Sequence, residues 1–327
     1  MNFRTIYFNE FGRVRSGWRF TIFLLSFFLV SAVLLFAGTA VLIALPVGFS
    51  PYSLLSFVFQ FAVSFAVVMF FGWLYGKIFE DLPFRALGFW VTKNWFKNLV
   101  LGFVIGAGSL ALAALIAFVF GGLSFRFNDS AGTAAILLTL ASTLVIFIFG
   151  AAFEEAFLRG YTLQTFSRAG LAVFGVVLTS LIFATMHNNN PGANPLSWLN
   201  TFLAGIWFAV AYFKTRDLWF PFGLHLAWNW FQGSIFGISV SGLDQLAPAP
   251  LMKAVDAGPA WLTGAGYGLE GGIACTLALA ASTALIYFLP LFKPSEEMIA
   301  FSSEEMRRGE EEKGRRGENF SANNLEL

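Results

Sequence analysis

The chain has 327 residues, of which 57% are hydrophobic and 12% are charged, and it contains 42 Phe. This composition is too apolar for a soluble domain of that size, so a polytopic membrane protein is predicted. The formal net charge of +1 comes with no basic surface pattern, which excludes nucleic acid as an expected partner. The single cysteine, Cys275, excludes an intrachain disulfide and a cysteine-based metal site.

The first apolar run begins directly after an arginine-rich segment. Residues 1–17 are expected to lie at the cytoplasmic surface, and the run at 18–45 is too long for the apolar region of a signal peptide, so it is read as a retained first span. Further stretches of about the ~20 residues needed to cross a bilayer follow along the chain. They lie at 54–76, 99–123, 134–158, 171–187, 196–213, 220–240 and 271–290. The predicted fold is therefore an all-α membrane bundle of about eight transmembrane helices over 18–292.

The distribution of Lys and Arg predicts the orientation of this bundle. With the amino terminus inside, strict alternation places nearly all Lys and Arg of the connections on the inner side, as the positive-inside rule requires. These residues are Lys77, Arg85, Lys93, Lys97, Arg159, Arg168, Lys214 and Arg216. A multi-pass protein with both termini in the cytoplasm is expected. The last segment, 293–327, alternates acidic and basic blocks and is predicted to be a disordered cytoplasmic tail.

The stretch FEEAFLRG, residues 153–160, places three charges in an apolar run. Each ionised side chain near the middle of a membrane helix costs roughly 2.5–3.5 kcal/mol, so the cluster needs a compensating role. Glu155 and Arg159 are four residues apart and are expected to pair on one helix face, which leaves Glu154 about 100° round the helix without a local cation. Glu154 is therefore the carboxylate free for chemistry. The alternative is a buried salt-bridge network that only locks helices together.

The two histidines of the chain both fall in apolar stretches. Phe183 and His187 are four residues apart, as are His225 and Asn229, so each pair shares a helix face. At ~1.5 Å per residue, Glu154 and His187 lie roughly 21 and 25 Å from the turn between their helices, which puts them at similar depth. All of these residues are expected to converge below the cytoplasmic surface, with access from the cytoplasm.

A cluster of Glu, His, His and Asn within a membrane suits hydrolysis of an amide. A carboxylate and an imidazole can take a proton from water, while a second imidazole and an amide N–H stabilise the oxyanion. Proton relay in a transporter uses similar groups, so this chemistry leaves the functional class open.

The order EExxxR, FxxxH and HxxxN resembles the CPBP family, which comprises type II CAAX prenyl proteases and bacteriocin-processing or Abi proteins and consists of intramembrane proteases. The motifs here are Glu154–Arg159, Phe183–His187 and His225–Asn229, and the resemblance covers about 134–240. It implies that Glu154, assisted by His187, activates water. It further implies that His225 and Asn229 form the oxyanion hole, with Glu155, Arg159 and Phe183 in support.

The same resemblance leaves two chemistries to compare. The family has also been described as metalloproteases, and Glu154, His187 and His225 would then form a two-His, one-carboxylate zinc set. The HExxH arrangement of soluble zinc proteases is absent, and Asn229 is a poor zinc ligand but a good oxyanion donor. The expected enzyme therefore uses no cofactor, with zinc as the alternative.

The expected function is an intramembrane endopeptidase that cleaves a membrane-associated protein or peptide, in CAAX-type carboxyl-terminal processing or bacteriocin maturation. The family type implies a bacterial plasma membrane, and an unprenylated peptide is then the expected substrate. The alternative is a non-catalytic membrane protein that confers immunity or acts as a scaffold. A proton-coupled transporter ranks lowest because the chain lacks the internal repeat of many carriers.

Overall fold

The computed structural model describes residues 3–9, 12–45, 50 and 53–302. The amino-terminal half contains α1 (Phe3–Tyr7), α2 (Ser16–Ala44), α3 (Leu54–Glu80), a 3₁₀ turn (Phe84–Leu87), α4 (Trp95–Val119), β1 (Leu123–Phe127), α5 (Thr133–Phe157), a π-helical turn (Leu158–Thr162) and α6 (Leu163–Arg168). Then follow α7 (Ala172–Met186), α8 (Pro195–Thr215), α9 (Trp219–Trp230), a second π turn (Phe231–Ile235), β2 (Met252–Asp256), α10 (Ala260–Thr263), α11 (Ile273–Phe288) and α12 (Glu296–Ser302).

The predicted all-α membrane fold is confirmed. Each of the eight apolar stretches contains a helix, and five helical segments of the described chain are long and apolar enough to cross a membrane. These are Ser16–Ala44, Leu54–Glu80, Trp95–Val119, Thr133–Arg168 and Pro195–Thr215. The helices α7, α9 and α11 are shorter, so the count of eight complete spans is not confirmed. Helices dominate because hydrocarbon offers no partner for unpaired backbone groups.

The bundle has two distinct ends. At one end Glu80 binds both Arg168 (2.8 Å) and Arg19 (3.0 Å), so the ends of α3 and α6 meet the start of α2. The turn after α8 also lies here, since the backbone N–H of Leu218 donates to the carbonyl of Gly88. We call this the basic end.

At the opposite end β1 and β2 form a two-stranded antiparallel sheet in which Leu123 lies opposite Asp256 and Phe127 opposite Met252. The connection 187–194 and most of the long segment 236–272 lie at the same end, because α7 and α9 both run away from the basic end. We call this the hairpin end. Asn194 begins α8 there with a capping box, in which its side chain accepts from the N–H groups of Leu196 and Ser197.

Glycines bring α4 and α9 into close contact. A Cβ at Gly106 would lie 2.3 Å from the carbonyl oxygen of Leu224, and one at Gly223 would lie 2.4 Å from that of Leu99. Such backbone approach is the usual function of small residues between membrane helices. It fixes the position of α9, which carries His225.

Part of the segment predicted to be disordered is helical. Glu296–Ser302 forms α12, with Met298 buried and Glu297 paired with Arg85 at 2.8 Å. The alternating charges of this segment led to the prediction of disorder. The apolar residues Met298 and Ile299 nevertheless give the short helix an apolar side. Residues 303–327, the rest of the predicted tail, lie outside the described residues.

Candidate active site

One cavity collects the predicted site residues. Glu154 from α5, His187 at the end of α7, and His225 and Asn229 from α9 all border it. The cavity measures about 810 Å³, its open side included. The convergence expected from helical spacing is therefore present, whereas the catalytic roles of these residues stay predictions.

The two adjacent glutamates have different surroundings. Glu155 is fully buried, and its Oε1 accepts hydrogen bonds from Arg159 Nη1 (3.1 Å) and His225 Nδ1 (2.9 Å). The structure thus has the Glu155–Arg159 pair that the spacing predicts. The Glu154 side chain is 18% exposed, and its Oε2 lies 3.4 Å from His225 Nε2. His225 therefore sits between the two carboxylates, an arrangement that the sequence did not predict.

A wide helical turn holds Arg159 in place. The helix changes from α to π geometry at Leu158–Thr162, where Gly160 has a non-helical backbone (φ −71°, ψ −127°). Single π turns often occur at functional sites. The Arg159 guanidinium lies over the neighbouring rings of Phe183 (5.0 Å) and Phe208 (4.9 Å) and donates to the carbonyl of Gly205 (3.0 Å). Phe183, the first residue of its motif, therefore covers the buried cation.

The hydrogen bond of His187 fixes its tautomer. The residue follows the last residue of α7, and its Nδ1 lies 2.8 Å from the backbone oxygen of Phe183. A carbonyl oxygen only accepts, so Nδ1 carries the proton and the Nε2 of the neutral ring has a free lone pair. His187 can therefore accept a proton at Nε2.

The α9 residues offer hydrogen-bond donors to the cavity. The His225 ring is buried and stacks on Phe208 at 4.7 Å between centroids, so its orientation is fixed by packing as well as by Glu155. Asn229 lies one turn further along and is half-buried. Within the described part of the chain its amide has no hydrogen-bond partner, so its N–H groups remain free for a ligand.

Sequence reasoning missed a second carboxylate in the wall of the cavity, in addition to Glu154. Glu270 Oε2 accepts from the backbone N–H (2.6 Å) and hydroxyl (2.7 Å) of Ser241, and its Oε1 accepts from Trp228 Nε1 (3.2 Å). Glu270 thus ties the segment after α9 to the wall of the cavity. Glu270 lies outside the three motifs. The sequence feature that could have indicated it is an acidic residue shortly before an apolar helix, in a region with few charges.

The lining of the cavity reaches the hairpin end, and we take that side as its mouth. Asn190, Ser241, Leu243 and Glu270 border it, and all belong to connections at that end. Towards the basic end α5 continues into a fully buried stretch in which Leu158, Tyr161 and Leu163 are 0 to 1% exposed. The expectation of cytoplasmic access together with cytoplasmic termini stays a prediction, and this arrangement does not favour it, because the mouth lies opposite the end that holds α1 and α12.

The zinc alternative requires Glu154, His187 and His225 to reach one ion. No group of three or more His, Cys, Asp and Glu side chains in the described chain is placed to hold a metal ion. Glu154 and His225 are neighbours, but His187 does not complete a three-ligand set with them.

Residues 135–231 match the model of the family described as Rce1-like, type II CAAX prenyl endopeptidase Rce1-like. The match spans all three motifs and confirms the resemblance: the chain contains an Rce1-like domain. No curated protein and no solved structure matches the chain significantly. The family indicates CAAX-type endopeptidase activity, a hydrolysis of membrane-associated protein, in a multi-pass membrane protein.

Proposed function

We propose that the Rce1-like domain hydrolyses a peptide bond inside the membrane with water activated by Glu154. The observation that carries this proposal is the position of His225, which lies 2.9 Å from Glu155 through Nδ1 and 3.4 Å from Glu154 through Nε2 at the wall of the cavity. One carboxylate orients the ring and the other remains at the reaction site. A purely structural salt bridge would not need the second carboxylate to face a cavity.

Glu154 and His187 are the groups that activate water. Both border the cavity, Glu154 with a partly exposed carboxylate and His187 with a lone pair at Nε2. Water held between them gives a proton to Glu154 as its oxygen attacks the carbonyl carbon. The other hydrogen of the water is held by His187 Nε2, which aims the attacking oxygen.

His225 and Asn229 stabilise the charge that forms on the carbonyl oxygen. In the reacting form the His225 ring carries both protons, so that Nδ1–H donates to Glu155 and Nε2–H donates to the oxyanion. The Asn229 amide is the second donor. Preorganised donors of this kind contribute roughly 10²–10³ in rate each.

The tetrahedral intermediate collapses when Glu154 returns its proton to the leaving nitrogen. The carbon–nitrogen bond breaks, the amine leaves, and the second product is a carboxylic acid. One water is consumed and Glu154 is ionised again, so no metal or covalent intermediate is required.

The substrate is proposed to be a membrane-associated protein or peptide. CAAX-type carboxyl-terminal processing and bacteriocin or peptide maturation are the reactions that the family suggests. The location we propose is a bacterial plasma membrane with both termini in the cytoplasm, which the concentration of Lys and Arg at the basic end supports. A lipid bilayer is the required environment.

The test compares protein termini by mass spectrometry in membranes from cells that express wild type or Glu154→Gln at equal levels. The amide is nearly isosteric but cannot take a proton from water, so new termini are expected with wild type alone. Asp129→Asn is the matched control, because Asp129 is an exposed acid at the hairpin end whose change should leave the new termini intact.

A null result in that comparison has a specific meaning. If the deletion phenotype is rescued equally by wild type and Glu154→Gln, and no terminus differs, the protein is a scaffold or immunity protein. Chelator treatment is the second check, since full loss of cleavage restored by zinc would contradict the metal-free mechanism.

A further inference from the structure

The mouth of the cavity lies opposite the end of the bundle that holds α1 and α12. We propose that the enzyme acts on polypeptide presented at the non-cytoplasmic face of the membrane, such as an exported peptide or the outer flank of a membrane-anchored protein. This inference rests on the proposed function and specifies the class of substrate. Three independent observations carry it.

The first observation is the direction of each helix that contributes to the cavity. Glu80 and Arg168, the last residues of α3 and α6, bind each other at the basic end. The helix α7 leaves that end at Ala172 and places His187 at its far end. The helix α9 also leaves it and places Asn229 nearer the hairpin end than His225. From Glu154, the groups that line the cavity therefore continue towards the hairpin end through His187 and Asn229.

The second observation is the closed path towards the basic end. Below Glu154 come the Glu155–Arg159 pair, the Phe183 and Phe208 rings around Arg159, and then Tyr161. Beyond these, Gln164 donates to the carbonyl of Leu87 and is 2% exposed. The Arg19–Glu80–Arg168 cluster lies furthest towards the basic end. We call this closed stretch, from the Glu155–Arg159 pair to the Arg19–Glu80–Arg168 cluster, the plug. A peptide cannot reach Glu154 through it without breaking several buried ion pairs.

The third observation is the distribution of charge between the ends. Among the Lys and Arg residues that the structure describes, Arg126 and Lys253 are the two that belong to connections at the hairpin end. The basic end carries a large group, namely Arg4, Arg13, Arg15, Arg19, Lys77, Arg85, Lys93, Lys97, Arg168, Lys214 and Arg216. Such asymmetry over short loops orients the basic end towards the cytoplasm. The mouth of the cavity then faces outwards.

These observations define which substrates fit. A carboxyl terminus anchored to the cytoplasmic leaflet would meet the plug, whereas a segment that has already crossed the membrane meets the mouth at Asn190, Ser241 and Glu270. The apolar side of the cavity, which includes Phe61, Ile146, Phe147 and Leu246, suits a hydrophobic or lipid-proximal peptide. The reaction therefore follows export of the substrate.

The access side can be measured without a known substrate. In a Cys275→Ala background the chain has no other cysteine, so one reporter cysteine can be placed at each end. Asn189 is exposed beside the mouth and Lys93 is exposed at the basic end. A membrane-impermeant maleimide applied to intact cells is expected to label Asn189→Cys fully and Lys93→Cys only after the membrane is opened. The reverse pattern would overturn the inference.

A second measurement separates this inference from the proposed function. Each new terminus that depends on Glu154 is assigned to the inner or outer side from the topology of the protein in which it occurs. Outer or exported positions are expected, and termini on cytoplasmic segments would overturn the inference. If Asn189→Cys is labelled from outside and no terminus depends on Glu154, the outward mouth stands and the endopeptidase proposal fails.

Discussion

His225 Nδ1 and Glu155 Oε1 are 2.9 Å apart, and this hydrogen bond joins a residue of the proposed oxyanion hole to a fully buried carboxylate. The same Oε1 accepts from Arg159. One oxygen atom therefore takes part both in the buried ion pair and in the orientation of His225. Changes at Glu155 are therefore expected to affect folding and catalysis by separable routes.

Glu155→Gln is expected to destabilise the protein strongly. It removes the carboxylate that Arg159 contacts directly, and breaking one partner of a buried pair typically costs about 3–5 kcal/mol. The measurement is the melting temperature of the purified protein in detergent. The double variant Glu155→Leu, Arg159→Leu is expected to recover part of the stability, because an apolar replacement of a buried pair is often tolerated.

The double variant also tests catalysis. It should remain inactive even where it is stable, because nothing then holds the Nδ1 side of His225. Recovery of both stability and cleavage in the double variant would show that Glu155 serves packing alone.

Asn229→Ala is expected to lower kcat by roughly 10²–10³ with little change in KM, as loss of one oxyanion donor does. Asn229 has no hydrogen-bond partner in the described chain, so its truncation should leave the melting temperature nearly unchanged. Steady-state kinetics on a substrate found by terminal mapping provide the measurement. An equal rise in KM at constant kcat would instead assign Asn229 to ground-state binding.

Sequence reasoning reached the local part of this site and missed the distant part. The Glu155–Arg159 pair follows from the spacing of four residues on one helix, and the convergence of Glu154 with His187 follows from similar distances to a shared turn. The bond between Glu155 and His225 joins residues 70 apart in the chain. It depends on how closely α9 approaches α5, which no periodicity encodes.

The side on which the cavity opens could not be predicted from the sequence for a related reason. Helix lengths predict how deep His187 lies in the bundle. Which end of the cavity is closed depends instead on the side-chain packing of Arg159, Tyr161 and Gln164. It also depends on the loops around Ser241 and Glu270. Those loops carry no regular pattern. The sheet β1–β2 and the helix α12 were missed in the same way, since both are short elements stabilised by distant contacts.

Glu270→Gln is expected to loosen the segment after α9. Hydrogen bonds to a charged group contribute about 1.5–3 kcal/mol, and Glu270 accepts three, two of them from Ser241. We expect a higher KM with a smaller change in kcat, because Glu270 positions the mouth and does not contact the reacting atoms. Ser241→Ala removes only the hydroxyl bond and should show a weaker form of the same change.

The Glu270 prediction has a clear contrary outcome. A fall in kcat as large as that of Asn229→Ala, with KM unchanged, would place Glu270 among the catalytic groups. A double-mutant cycle of Glu270→Gln with Ser241→Ala measures the coupling between the two residues.

Asp217 makes stability depend on pH. It lies in the turn between α8 and α9, where burial raises the pKa of its carboxyl from 3.8 to about 6 despite hydrogen bonds from Asn98 and from the N–H groups of Phe220 and Trp219. Between pH about 4 and 6 the unfolded state is ionised while the folded state retains the proton. Folding then binds protons, so stability falls as pH rises through this window, by an amount on the order of 3 kcal/mol.

The measurement is the melting temperature across pH 4 to 7 for wild type and Asp217→Asn. The asparagine still accepts from the first N–H groups of α9 but does not ionise, so its profile should be flatter in that window. The assignment to Asp217 would be contradicted by a melting temperature of the wild type that rises with pH in this window. It would also be contradicted by the same pH profile in wild type and Asp217→Asn.

Gly106→Ala is expected to separate α4 from α9. Its Cβ would lie 2.3 Å from the Leu224 carbonyl oxygen, a backbone atom that cannot move without shifting the helix that carries His225. Both melting temperature and kcat should fall. Gly108→Ala is the matched control on the same helix, because a Cβ there meets nothing within 4 Å and alanine is the better helix former. If Gly106→Ala and Gly108→Ala behave alike, the close contact between α4 and α9 does not position the site.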